Sequence, residues 1–474
     1  MQTYLLTAKF FGICLFTFTL AGLEFALHQV FKKRIFKFSK KLDRILAVCL
    51  LISFAILVYN SSFFSLEFRE DWKKVEKKFI TLKHTTIFNW YESFSQYLQE
   101  RNSFLLSAKV NENIHASAVS SHPQNIIVII GESFIKHHSS LYGYHLETNP
   151  KLASLENLYV FDNVISPINA TSDAFKNFLS LSSIDEQKEW YDSPLFPAVF
   201  KAAGYNVIFF SNQFVKAAQM STHDASCGFF NHPSLSLNLF NHRNSEKYEF
   251  DENLLDFYKS VRNEIESDSL NLILLHLYGQ HVRYSGRFPK EREHFKIADY
   301  ANRTELSESE KQEVADYDNA TLYNDSIVYE IITMYDSTNA VVVYFSDHGD
   351  EVNDYRPHIG RSRNLDVIGA PGLHCQLDIP FLIHISPSYK HLHPGAAERI
   401  NAAVHKPFII DDLPHVLMDL AKINYDLYQP QRSLVNSMFN ENRKRIVRPL
   451  ASQQIDYDSV CTKYGKWKMG YERK

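Results

Sequence analysis

An α/β fold is what this sequence predicts: a parallel sheet covered by helices on both faces, preceded by N-terminal transmembrane helices. Three observations carry that prediction. From Asn125 onward, short β-branched runs alternate with helical segments, the runs are apolar without alternation, and polar residues follow them directly. The runs are NIIVIIG at 125–131, YNVIFFS at 205–211, NLILLHL at 271–277 and AVVVYFSDHG at 340–349. A strand that is apolar on both faces belongs between two helical layers, and strands alternating with helices pair in parallel. Such sheets place their ligands beyond the carboxyl ends of the strands. Polar residues immediately after these runs are therefore the first candidates for function.

The transmembrane prediction rests on the first sixty-odd positions. Ile45 to Leu66 carries no charged residue and is long enough to cross a bilayer. Phe10 to Leu27 is a second span, with Lys9 and Glu24 near its ends, where charged heads reach the interface. Between them lies KKRIFKFSKKLDR, residues 32–44, a short basic loop of the kind that stays cytoplasmic, so both ends of the pair face outward. The domain reading is a membrane anchor at 1–66, an amphipathic helical linker at 67–120 and a catalytic domain at 121–474. Within the last, Arg287 to Glu313 reads as a polar exposed insertion near the ligand-binding edge.

Composition narrows the partners. The 474 residues are 45% hydrophobic with a formal charge of -4, which leaves no basic footprint for nucleic acid and excludes it as the general partner. Aromatics make up 14%, and they crowd the apolar N-terminal runs, as in a chain that meets the lipid bilayer. Of five cysteines, Cys14 and Cys49 lie in those runs; Cys227, Cys375 and Cys461 permit at most one disulfide. No cysteine/histidine spacing of a structural zinc module occurs. A metal would be held by carboxylate, hydroxyl and imidazole.

Two strand ends supply that set. NIIVIIGES delivers Glu132 and YFSDHGDE delivers Asp347 and His348 to one edge, and carboxylate oxygen with imidazole nitrogen suits zinc or manganese. A glycine beside each lets the backbone turn. Thr171 opens TSDAFKNFLSL, whose apolar positions 174, 175, 178 and 179 fit a helix, so its hydroxyl stands where amide donors and the helix dipole favour an anion. Thr171, Ser172 and Asp173 are equally able to serve as caps of that helix. His374 precedes a further strand and is another candidate.

The ordered motifs resemble the phosphoethanolamine transferases that modify lipopolysaccharide, in the branch acting on the inner-core heptose region, within the alkaline-phosphatase/sulfatase superfamily. The matching stretches are IIVIIGES, SLYGYHLETNPKL, VFDNVIS, the NQ of FFSNQF, LLHLYGQHVRY, YDNATLYNDSIV, VVVYFSDHGDEV, RPHIGRSRN and HCQLDIPFLI, over roughly residues 120 to 430. The resemblance implies an alkaline-phosphatase/sulfatase-like catalytic domain on the periplasmic side of the bacterial inner membrane. Glu132, Thr171, Asp347 and His348 would bind zinc, and Thr171 would be the nucleophile. His281 and His358 would bind phosphoethanolamine or protonate the departing oxygen, with His374 as a further substrate-binding residue. The implied donor is phosphatidylethanolamine and the implied acceptor lipopolysaccharide, through a phosphothreonine-type intermediate. This chain departs from the family in showing two spans where five are usual.

The same fold hosts other chemistry. A metal-dependent phosphodiesterase, phosphatase or phosphoglycerol-type transferase would use similar ligands; against an inactive membrane-anchored binding or sensing protein stands the presence of every candidate zinc ligand. No Cys or Ser followed by Pro or Ala and then Arg, the sulfatase pattern for conversion to formylglycine, occurs near Thr171. The topology is testable with alkaline phosphatase fusions: activity is expected at residue 120 and none at residue 40. The reverse pattern overturns the orientation.

Overall fold

The apolar runs become strands of one sheet. In chain order these are β1 (Gln124–Gly131), β2 (Leu158–Phe161), β3 (Asn206–Ser211), β4 (His242–Arg243), β5 (Leu270–His276), β6 (Ala340–Ser346) and β7 (Phe381–Ile385). Their spatial order is β2-β7-β6-β1-β5-β3-β4. The computed structural model describes residues 86–120, 122–186, 188–213, 233–362, 365–449 and 454–464. The two proposed spans, the basic loop and residues 67–85 of the proposed linker lie outside these. Among the described residues, no helix is long and apolar enough to cross a membrane. The chain divides into two compact units, Met1–Asn102 and Ser103–Lys474. Of the first, only the opening of helix α1 (Thr86–Val110) is described.

The main helices of the second unit are α2 (Thr171–Leu179), α3 (Phe196–Ala202), α4 (Asp251–Ile265), α5 (Glu308–Met334), α6 (Leu365–Leu377) and α7 (Leu413–Ala421). They cover both faces of the sheet, as the unbroken apolar strands require. Ile126, Val128 and Ile130 of β1 point to the layer holding Phe175 and Phe178 of α2, Phe196 of α3 and Leu417 of α7. Ile127 and Ile129 point the other way, to Leu254 of α4 and Val328 and Ile331 of α5. Such two-sided burial gives each strand side chain about 1.5–3 kcal/mol of transfer free energy.

One strand departs from the expected parallel sheet. β7 pairs antiparallel with both β6 and β2, so the sheet is mixed. A parallel neighbour needs a crossover to the far edge. Here the chain leaving β6 makes a short hairpin, Glu351–Val352 with Ile359–Gly360, and then α6, and re-enters the sheet in the reverse direction. The polar segment 287–313 also departs from expectation. Phe288 packs into the second core layer, while Tyr284, Phe295, Tyr300 and Leu306 bury themselves around Tyr317 of α5 as a satellite core. Glu308 to Glu313 already belong to α5.

The loop after β1 is fixed by a buried ion cluster. His138 is fully buried, with Nδ1 2.6 Å from Asp318 of α5 and Nε2 2.9 Å from Asp354 of the hairpin. Tyr144 and Tyr300 donate to the other oxygen of Asp318 at 2.6 and 2.5 Å. Burial opposes the imidazolium, but the two carboxylates outweigh it and raise His138 to about 10. A raised folded value means that this contribution is complete below the unfolded value of about 6.5 and is lost as pH climbs toward about 10. His138→Gln is therefore expected to cost about 3–5 kcal/mol by stranding buried carboxylates. In urea unfolding it should also flatten the alkaline decline in stability.

Candidate active site

The parallel register brings four strand ends level. Ser211 of β3 pairs with His276 of β5, Ile130 of β1 with His276, and Gly131 with Ser346 of β6. Glu132 and Asp347, the next residues on neighbouring strands, thus stand side by side. Both are fully buried, as is His348. Ligand atoms of these three lie within 4.8 Å of one another. Thr171, the first residue of α2, turns its hydroxyl into the group. Its Oγ1 is 3.0 Å from Glu132 Oε2 and 3.2 Å from His348 Nε2. The capping position falls on Ala170, which offers no side-chain cap, so the Thr171 hydroxyl is engaged elsewhere than in closing its helix.

Hydrogen bonds orient each donor. Asp347 Oδ1 accepts from the amides of Ser133 at 3.1 Å and His348 at 2.8 Å, while buried Oδ2 makes no hydrogen bond. His348 Nδ1 donates to the Gly349 carbonyl at 2.7 Å, a tautomer assigned from that partner, and this leaves the Nε2 lone pair facing the carboxylates. Glu132 accepts from Ser133 Oγ at 2.6 Å and from Gln213 Nε2 at 3.0 Å. Burial raises Asp347 well above the usual carboxylate range, and the neighbouring Glu132 charge adds to it. In Glu132 burial acts the same way, but His348, His281 and Arg361 outweigh it and draw the group down. Burial, then Arg361, lowers His348 to about 3. Three anionic or neutral donors with an orphaned carboxylate oxygen among them fit a divalent cation, and the oxygen and nitrogen set fits zinc.

Glycines serve here through close approach. A Cβ on Gly349 would meet the Cys375 carbonyl oxygen of α6 at 2.1 Å, and one on Gly279 would come 2.9 Å from the Glu132 amide. Gly279 also takes a φ of 49°. Its turn is held by Asp251, which accepts from the Tyr278 and Gly279 amides at 2.8 and 2.9 Å. That turn carries His281, half-buried and close enough that its charge bears on Glu132 and His348. His358 sits on the hairpin; its buried Nε2 makes no hydrogen bond, and its ring bonds to none of the four central residues.

His374 goes elsewhere. Residues 374 and 378 share one face of the end of α6, and His374 Nδ1 contacts Asp378 at 3.1 Å and Tyr457 at 2.9 Å. The intervening Gln376 faces the hairpin and α2 entry instead, bonding Asn169 and Glu351. Two further residues enter the centre. Gln213 links Glu132 to His276 at 3.2 Å, and Arg361 Nη1 lies 2.7 Å from His348 Nε2. Gln213 carried the same signal as Glu132, a polar residue just after a buried strand; Arg361 carried none beyond its motif.

The family model described as Sulfatase matches residues 124–423. The chain belongs to the sulfatase family. Its fold is thus the alkaline-phosphatase/sulfatase-like α/β type with a mixed central sheet. Among curated relatives, phosphoethanolamine transferase EptC of Escherichia coli is 31% identical over 382 residues, covering 77% of this chain and 64% of EptC. Phosphoethanolamine transferase CptA of Salmonella typhimurium is 32% identical over 346 residues, covering 71% of this chain and 58% of its own length. This chain therefore spans somewhat under two thirds of these relatives. The crystal structure of the C-terminal periplasmic domain of E. coli EptC in complex with Zn superposes with a TM-score of 0.62 at 27% identity. It covers 73% of this chain and 96% of that domain.

The sulfatase-family centre predicts a metal dependence that can be read directly. Asp347→Ala removes the orphaned oxygen, and the purified chain is expected to lose one equivalent of zinc by elemental analysis. Unchanged zinc content takes Asp347 out of the ligand set.

Proposed function

We propose that this chain transfers phosphoethanolamine from phosphatidylethanolamine to a lipopolysaccharide acceptor, a core heptose or lipid A, through a covalent intermediate on Thr171. Glu132, Thr171, Asp347 and His348 hold one zinc in this reading. The observation that carries it is the Thr171 hydroxyl, set at the N-terminus of α2 and within 3.0 to 3.2 Å of Glu132 and His348. The names of the EptC and CptA relatives and the zinc complex of the EptC domain support the substrate class and the metal. The two spans of residues 1–66 would keep the catalytic domain at the periplasmic face of the inner membrane, beside both lipids.

Zinc, when bound, lowers the pKa of a coordinated hydroxyl and neutralises phosphoryl charge. The chain's own residues do the rest. Glu132 Oε2 accepts the Thr171 hydroxyl hydrogen, which turns an oxygen lone pair outward to phosphorus. The positive end of the α2 dipole attracts the phosphate. A bond forms from Thr171 Oγ1 to phosphorus, the bond to the diacylglycerol oxygen breaks, and that oxygen takes a proton as diacylglycerol departs. An acceptor oxygen then attacks phosphorus, loses its proton and releases Thr171. In this reading neutral His281, with His358 on the hairpin as its partner, relays one proton in each step: it takes the proton from Thr171 and hands it to the diacylglycerol oxygen, then takes the acceptor's proton and returns it to Thr171 Oγ1. Burial, reinforced by Arg361 and Arg287 against the pull of Glu132, lowers His281, so it is neutral at physiological pH and ready to accept.

Thr171→Ala is expected to abolish transfer with the fold retained, and Thr171→Ser to keep part of it. Incubation with labelled phosphatidylethanolamine and no acceptor should leave a phosphoethanolamine adduct on the Thr171 peptide, detected by mass spectrometry. Rapid release of free phosphoethanolamine to water with no adduct would identify a phosphodiesterase instead, and normal transfer by Thr171→Ala would refute the mechanism.

A further inference from the structure

A second set of metal-ligating side chains converges on the outer face of α6. His137 comes from the one-turn helix Lys136–His138 after β1, His374 and Asp378 from the end of α6, and Cys461 from the C-terminal helix Tyr457–Tyr464. Ligand atoms of His137, His374 and Asp378 lie within 4.8 Å of one another. Asp378 Oδ2 is 3.4 Å from His137 Nε2 and 3.1 Å from His374 Nδ1. The two imidazoles meet edge to face, with centroids 6.3 Å apart, so they do not stack. Cys461 is a free thiol within hydrogen-bonding reach of His374.

The group is sheltered but open at one side, with side-chain exposures of 21% for His137, 16% for His374 and 7% for Asp378. Tyr457 donates to the other Asp378 oxygen, and Lys136 Nζ stands 3.6 Å from Oδ2. A lone carboxylate pairing with lysine needs neither two imidazoles nor a thiol around it. Two imidazoles, a carboxylate and a thiol are the borderline-soft donor set that zinc takes in four-coordinate sites.

We propose that His137, His374 and Asp378, with Cys461 as the fourth ligand, form a second zinc site that clamps the loop after β1, α6 and the C-terminal helix together. Its place in the fold gives it a purpose. On its other side α6 supports the catalytic loop, since the Gly349 amide donates to the Gln376 carbonyl at 2.9 Å and Asn169 donates to the Gln376 side chain at 2.5 Å. Tying down the outer face of α6 holds the platform beneath His348. None of this depends on the transferase reading.

The test is metal content of the full chain purified in detergent, stripped with chelator and titrated with zinc alone. Wild type should take up two equivalents, the His137→Gln/His374→Gln double variant one, and Asp347→Ala one. A wild type that binds a single equivalent, lost in Asp347→Ala, overturns the proposal, as does a double variant that still binds two. Should the double variant misfold, cobalt decides. Wild type loaded with Co(II) should show a thiolate-to-cobalt charge-transfer band that Cys461→Ser loses, and absence of any Cys461-dependent band overturns the assignment.

Discussion

Two carboxylates, Glu132 and Asp347, are carried fully buried to adjacent positions by the parallel pairing of Gly131 with Ser346. Like charges so placed repel with nothing but low-dielectric protein between them, and the ionised pair persists only where positive charge is supplied. The structure supplies it in part with the Arg361 guanidinium, which bears on both carboxylates, and leaves Asp347 Oδ2 without a hydrogen bond. The demand for a cation at that oxygen is set by the sheet itself. Everything nearby either holds the carboxylates in this unfavourable proximity or exploits it.

The holding is done by hydrogen bonds that leave little choice. Ser133 adopts a left-handed backbone with φ 57°, a conformation that costs a non-glycine residue roughly 1–2 kcal/mol. In exchange its amide reaches Asp347 and its hydroxyl reaches Glu132, both charge-assisted bonds. Tyr317 of α5 then accepts from the Ile135 amide at 2.8 Å and donates to the Ser133 carbonyl at 2.7 Å, and His138 anchors the end of the same loop. A strained residue is thus stitched on both sides to a long helix that is itself packed on the sheet. Gly349 lets α6 close over the other strand end at a distance no side chain would permit.

How much of this the sequence disclosed depends on how local each signal was. The four apolar runs are strands because burial on two faces writes itself into consecutive residues, and Glu132, Asp347 and His348 were found because each follows such a run directly. Thr171 was visible through the periodicity of α2, though its hydroxyl direction was not: Ala170 occupies the cap, and the Thr171 hydroxyl turns to Glu132 and His348 instead. The reversed strand β7 was illegible, since FLIHI reads alike in either direction and only the path of the hairpin and α6 decides it. The aromatic satellite core was hidden because Phe288, Phe295 and Tyr300 are scattered through a polar segment. His137 had no local mark and Asp378 none beyond the HCQLDIPFLI stretch; they meet only because α6 folds back against the loop after β1.

The fold decides where the site is, and single residues decide what it does. The sheet brings strand-end carboxylates to one edge and the start of α2 faces them, and that arrangement alone leaves sulfate and phosphate chemistry equally open. The choice narrows at position 171. Threonine cannot become the formylglycine that the sulfatase pattern prepares, and no residue pattern for that conversion stands nearby. What remains at the helix start is an ordinary hydroxyl, useful as a nucleophile only if its hydrogen is held by a neighbour and a cation stands close. Glu132 at 3.0 Å meets the first condition, and the unbonded oxygen of Asp347 prepares the second. The two features arise from neighbouring strands and a separate helix, and the covalent group transfer proposed at Thr171 would draw on both.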